Sequence, residues 1–217
     1  ARGDGQRTRF VSRERAYHGV NIGGVSISGM VKNRETFSGV MPNVVHMRHT
    51  WSEDQLFTRG QPETGAEVAN DLERFCETYG GSTIAAVFVE PVAGSTGVLV
   101  PPVGYLDRLR EICDQHGILL VFDEVICGFG RTGNMWGSES FDLKPDILTC
   151  AKALSSAYAP ISALLMNENI ISEIEKQASD LGVFGHGFTY SAHPMSSAVA
   201  LRTLEIYEEK KIVEHVR

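Results

Sequence analysis

Five apolar residues, Ile118 to Phe122, run without interruption straight into two carboxylates, Asp123 and Glu124. A run this short and this uniformly apolar is what a strand buried on both faces of a sheet requires. The amphipathic stretch before it, Tyr105 to His116, places Tyr105, Leu106, Leu109, Ile112 and Cys113 on one helical stripe and ends at Gly117, a natural left-handed helix cap. The same alternation recurs along the chain. Thr83 to Val89, Asp146 to Ala151 and Ile161 to Met166 read as further strands, and Val68 to Tyr79 and Asn169 to Ser179 as helices. Arg7 to Tyr17 reads as a strand running into a turn. Val20 to Gly65, rich in Gly, Asn, Pro and Thr and without sustained period, is expected to be irregular. Strands alternating with helices predict an α/β fold with a mostly parallel central sheet, whose ligands sit beyond the carboxyl ends of the strands.

The bulk properties remove several alternatives. A hydrophobic fraction of 42% with 22% charged residues argues for a packed globular chain rather than a disordered one, and no apolar run reaches the length of a bilayer span. The net charge of −7 opposes nucleic-acid binding, which needs a basic face. The densest basic group, Arg7, Arg9, Arg13 and Arg15, shares one face at strand spacing and reads as a solvated or phosphate-facing edge. Four dispersed cysteines form no C-x-x-C pair, as expected of reduced, buried thiols in a cytoplasmic protein. Ala1 opens the chain without a signal peptide, and Arg217 ends it directly after a helical pattern, so both ends read as cuts through a longer protein.

The chemistry-bearing residues fall just past the apolar runs. Two carboxylates at the end of a buried strand call for a cationic partner, and a protonated heteroaromatic nitrogen is one. Lys152 closes Ile-Leu-Thr-Cys-Ala-Lys, where it either snorkels to the surface or serves as an amine able to form an imine with an aldehyde. Between them Gly128-Phe-Gly-Arg-Thr-Gly133 matches G-x-G-x-x-G, but neither a helix opening at Gly133 nor an acid some twenty positions on accompanies it, so a dinucleotide site is not supported. His46 and His49, like His186 and His193, lack a third ligand nearby and read as ordinary histidines, with no metal site expected.

These blocks together resemble the class III aminotransferases, which depend on pyridoxal 5'-phosphate. The resemblance rests on Phe122-Asp-Glu-Val-Ile-Cys-Gly-Phe-Gly-Arg-Thr-Gly133 followed by Lys144-Pro-Asp-Ile-Leu-Thr-Cys-Ala-Lys-Ala153. Tyr17-His-Gly19, Glu90-Pro-Val-Ala-Gly-Ser-Thr-Gly97 and His186-Gly-Phe-Thr-Tyr-Ser-Ala-His-Pro194 support it. Leu99-Val-Pro-Pro-Val-Gly-Tyr-Leu and Arg110-Glu-Ile-Cys-Asp-Gln-His are similar to the omega-amino acid (amine):pyruvate branch. The resemblance implies a fold-type I large domain, of which residues 1–217 form the central part. The Gly-Ser-Glu-Ala phosphate cup upstream and the C-terminal small domain, with its carboxylate-binding arginine, would lie outside it.

Carried over, the resemblance makes Lys152 the Schiff-base lysine and proton carrier and Asp123 the partner of the pyridine nitrogen. Val125 would pack on one ring face and Tyr17 stack on the other, with His18 and Gly19 shaping that wall. Glu90 would hold the cofactor's surroundings, and Thr189 would reach the phosphate of the neighbouring subunit's cofactor, implying a homodimer. Ser95 stands where the ornithine and γ-aminobutyrate branches carry a second glutamate, which points to the pyruvate-linked group; Ala153 replaces the glycine that many relatives have after the lysine. The expected activity is transfer of an amino group from an amine or omega-amino acid to pyruvate or a similar oxo acid by a ping-pong cycle. An aminomutase or other isomerase of the superfamily, and an inactive homologue acting as an interaction domain, are the alternatives.

Overall fold

The computed structural model describes residues 2–37 and 39–217. Six strands form one sheet in the order β2-β1-β3-β4-β5-β6, where β1 is Arg9–Arg13, β2 Val44–Met47, β3 Ile84–Val89, β4 Leu119–Asp123, β5 Ile147–Cys150 and β6 Ala163–Met166. The first five are mutually parallel, and β6 closes the edge antiparallel to β5. The mixed sheet is therefore mostly parallel and helix-flanked, as the alternation of patterns requires.

The helices are α1 (Ile22–Ile27), α2 (Val31–Thr36), α3 (Asp71–Tyr79), α4 (Tyr105–His116), α5 (Gly137–Ser140), α6 (Glu168–Leu181), α7 (Pro194–Glu209) and α8 (Ile212–Val216). The main core forms where Leu72 and Cys76 of α3 and Tyr105, Leu109, Ile112 and Cys113 of α4 meet Val11, Val87, Val89, Leu120 and Phe122 of the sheet. Val121 points the other way from Leu120 and Phe122 and is buried as well, so β4 is covered on both faces. Gly117 takes the left-handed conformation (φ 63°, ψ 35°) that turns α4 directly into β4. Behind β5, Leu148, Cys150 and Leu154 pack with Phe129 and Ala200 of α7 in a second cluster.

Asp146, in the Lys144-Pro-Asp turn, ties the starts of β4 and β5 to the end of β6. Its Oδ2 accepts from the Leu120 amide at 2.8 Å and from Arg110 Nη1 at 2.9 Å, and its Oδ1 accepts from Asn167 Nδ2 at 2.9 Å. This motif residue serves the amino ends of the strands, away from their carboxyl ends. A cleft of about 980 Å³ opens at those amino ends, lined by residues such as Arg7, Arg110, Asp146 and Ser172. Arg7 there spends its guanidinium on the carbonyls of Gly81, Ile84 and His116, and Arg110 on Asp146 and Asp114. Most of the two guanidiniums' hydrogen-bonding capacity is thus already used, with the Nε atoms left without a hydrogen-bond partner among the described residues.

Two expectations are corrected. The stretch from Val20 to Gly65 is not wholly irregular: it contains α1, α2 and the parallel strand β2. Those elements are four to six residues long, too short for a period to emerge, and α1 carries Gly24 where it packs against the backbone of His18 and Gly19. A Cβ on Gly24 would stand 2.7 Å from the His18 carbonyl oxygen. The four arginines also do not share a solvated face. Arg13 is buried, Arg9 lies over the Tyr79 ring at 3.9 Å and Arg15 over the Trp51 ring at 5.3 Å.

His46, on β2, faces the Ser28 carbonyl oxygen through Nε2 at 3.1 Å and has Arg34 Nη1 3.5 Å from Nδ1. Burial, and then the Arg34 charge, push its pKa below the ordinary histidine value. The unfolded chain therefore takes up this proton at a higher pH than the fold does. The stability contributed by neutral His46 is complete above about pH 6.5 and is lost as pH falls through the lower folded value. Denaturant melts from pH 7.5 to 5 are expected to show stability falling with acid, and His46→Gln to shrink that slope; an unchanged slope in the variant would refute the assignment.

Candidate active site

Asp123 is the last residue of β4, at the carboxyl edge of the sheet, and pairs in register with Thr149 of the parallel neighbour β5. Lys152 follows three residues after Thr149, in a short 3-10 turn Lys152–Leu154. The two residues therefore leave adjacent strands at the same end. Lys152 is exposed and takes left-handed backbone (φ 40°), an uncommon conformation for a side-chain-bearing residue and one that concentrates at functional sites. Its turn is pinned from α7, where Tyr207 Oη donates to the Ala153 carbonyl at 2.7 Å and also meets Ser156 Oγ at 2.7 Å.

Asp123 is held from two sides. The Val125 amide donates to Oδ1 at 3.1 Å, and His18 Nδ1 lies 2.8 Å from Oδ2. An ionised carboxylate only accepts, so Nδ1 must carry the proton in this contact, leaving Nε2 for Ser12 Oγ at 3.2 Å. The imidazole is nearly sealed, with its side chain 2% exposed against 14% for Asp123. His18 was expected to shape the wall around the ring; its imidazole is in contact with the acid itself. Nothing in the Tyr-His-Gly triplet gives that direction, which depends on α1 packing against the loop. The His18 amide donates to Ser28 Oγ at 2.8 Å, and Gly24 lets α1 come close.

Glu90, one residue past β3, is buried and accepts from the Tyr17 amide through Oε1 at 3.1 Å and from the Gly94 amide through Oε2 at 2.9 Å. It thereby fixes the backbone of the Tyr17–Gly19 loop beside β4. Tyr17, His18, Glu90, Asp123 and Val125 thus meet at the carboxyl end of the sheet, with Lys152 in the turn just past the next strand. Thr189 does not join them: it lies in the exposed stretch between α6 and α7.

Glu124 behaves differently from its neighbour. It is completely buried, and its partners are the Gly137 and Ser138 amides at the start of α5, at 2.6 and 2.7 Å, in place of the cation that the paired carboxylates suggested. Burial pushes its pKa up and the two amides pull it back. The G-x-G-x-x-G segment between them folds into a tight reversal, with the Phe129 and Gly130 amides both on the Met135 carbonyl and Phe129 against Trp136. The first helix after it begins at Gly137 rather than Gly133. Among the described residues no cluster of three or more His, Cys, Asp or Glu could hold a metal ion. The buried thiols are poor nucleophiles, since burial raises Cys113 and Cys127 to about 12.

The site suits the ring side of pyridoxal phosphate. Asp123 uses one oxygen for His18 and one for Val125, and a carboxylate has further lone pairs for a protonated ring nitrogen at its open edge. An aromatic side chain and a primary amine stand on flanking elements.

The chain superimposes with a TM-score of 0.91 on the crystal structure of the omega transaminase from Pseudomonas jessenii in complex with PMP, at 40% identity, covering 98% of this chain and 47% of that one. The chain belongs to the class-III aminotransferase family, whose model, described as Aminotransferase class-III, matches residues 1–217. It is 50% identical over 210 residues to the omega-aminotransferase of Caulobacter vibrioides, covering 96% of this chain and 48% of that protein. It is 46% identical over 216 residues to the beta-alanine–pyruvate aminotransferase of Pseudomonas aeruginosa, covering 98% and 48%. The chain thus spans about half the length of these relatives.

Glu124→Gln tests the brace under the site. Either amide orientation sets an NH2 group against one of the two backbone N–H donors, so a loss of about 1–3 kcal/mol in chemical denaturation is expected; an unchanged midpoint would show that the clamp contributes nothing.

Proposed function

We propose that the protein carrying this chain is a pyridoxal-phosphate-dependent transaminase that moves an amino group from an amine or omega-amino acid to pyruvate or a similar oxo acid. The observation that carries this reading is the placement of Asp123, braced by His18, and Lys152 at the carboxyl ends of adjacent parallel strands. The pyruvate-linked relatives support the acceptor.

Pyridoxal phosphate, when bound, supplies an aldehyde and a ring that accepts the electrons released at the substrate Cα. Asp123, held in place by His18 and the Val125 amide, would meet the ring nitrogen with its remaining lone pairs. Lys152 would hold the cofactor through its amine and, once free, would take up the proton released at the substrate Cα. Tyr17, its backbone fixed by Glu90, would stack on one face of the ring, and Val125 would pack on the other. His18 and Gly19 support the Tyr17 side.

Thr189 has a distinct part in this reading. Its stretch exposes Val183, Phe184, Phe188, Tyr190 and Met195. A run of bared apolar side chains suits burial against a second copy, and the Thr189 hydroxyl would then serve the phosphate of that copy's cofactor. The four free, buried cysteines fit a reducing compartment such as the cytoplasm. Among the described residues no helix is long and apolar enough to cross a membrane.

Lys152→Ala is expected to abolish formation of alanine from pyruvate with an amine donor, while the thermal melt stays that of a folded protein. Alanine formation at the unsubstituted rate would refute the assignment, and a rearranged donor without a free carbonyl product would point to an isomerase.

A further inference from the structure

Arg13 ends β1, is 1% exposed and belongs to none of the ion pairs among the described residues. Removing a guanidinium from water without a carboxylate is costly, and a methionine of similar volume would fill the space without that cost. Packing alone therefore does not explain the residue. Its Nη2 donates to the Glu90 carbonyl at 2.7 Å, and its guanidinium lies over the Tyr105 ring at 5.6 Å from the centroid. Among the described residues Nη1 and the Tyr105 hydroxyl are both buried without a hydrogen-bond partner, and the guanidinium's one hydrogen bond there is to the backbone of Glu90.

Glu90 is where that commitment becomes functional. With its carbonyl held by Arg13, its carboxylate turns the opposite way and receives the Tyr17 and Gly94 amides. The contacts close a loop: from the end of β1, across to the residue after β3, and back to the segment four residues beyond Arg13.

We infer that Arg13 is a positioning residue for the ring-stacking wall: through Glu90 it sets where the Tyr17 backbone, and so the Tyr17 ring, stands over the cofactor. The inference rests on the reading of Tyr17 as the stacking partner in a pyridoxal-phosphate site. Lysine carries the same charge but not the planar fork, so the exchange is not conservative here.

The test is titration of the protein carrying this chain with pyridoxal phosphate, followed by visible circular dichroism of the bound cofactor, which reports the asymmetry of the ring's surroundings. Arg13→Met is expected to weaken cofactor binding about tenfold, the scale of one charge-assisted hydrogen bond, and to reduce the dichroism at saturation. Arg13→Lys is expected to recover part of both. In the Arg13→Met/Glu90→Gln double variant the two losses should fall short of additive, because both act through one contact chain. Unaltered affinity and dichroism in Arg13→Met, even with a lower melting temperature, would make the residue merely structural and overturn the inference alone. If Arg13→Met fails to fold, Arg13→Lys decides by the same two readouts, unaltered values again overturning it. Absence of binding to the unsubstituted protein would instead overturn the transaminase reading itself.

Discussion

The hydrogen bond between His18 and Asp123 couples the ends of β1 and β4, which are not neighbours in the sheet, and the rest of the candidate site is arranged around it. A carboxylate at the end of a strand buried on both faces is stable only when its charge is met. Here it is met by a sealed imidazole and by a local amide. That leaves the open edge of the acid free to face a ligand. The imidazole is in turn fixed by Ser12 on β1 and by its own amide on Ser28, after α1. Removal of any one of these contacts loosens the acid's direction without removing its charge.

Around this bond the buried polar groups divide into those that face the site and those that hold its frame. Glu90 and Arg13 fix the loop that carries Tyr17, whereas Glu124 spends its hydrogen bonds on the start of α5 and Asp146 on the amino end of β4 and the carboxyl end of the antiparallel β6. The adjacent acids Asp123 and Glu124 therefore have opposite duties. Alternation along the chain sends one towards the open strand end and the other into the protein, where two N–H donors await it.

Much of this was legible in the sequence where the physical signal is local. Tyr105 to His116 with Gly117 fixed a helix and its cap to the residue, because a three-turn apolar stripe admits one reading. The runs before Asp123 and Lys152 placed both at strand ends, because uniformly apolar strands belong to a parallel sheet. What escaped depends on contacts distant in sequence. Val44 to Met47 is four residues of ordinary β-formers and becomes a strand only beside β1. Arg13 appeared as one of four arginines on a polar face, and only the fold buries it. The turn of His18 towards an acid 105 residues away has no local signature. The segment around Thr189 was recognised by resemblance alone, and it lies exposed and away from the other site residues.

The central claim is that Lys152, beside Asp123, is the residue that takes the cofactor. It is tested most directly by loading the protein with pyridoxal phosphate, fixing the linkage with borohydride and mapping the labelled peptide by mass spectrometry. The account predicts a reduced phosphopyridoxyl group on Lys152 alone, and loss of the label when Lys152 is replaced. A label confined to another lysine, such as Lys144 or Lys176, or no label at all, would contradict it.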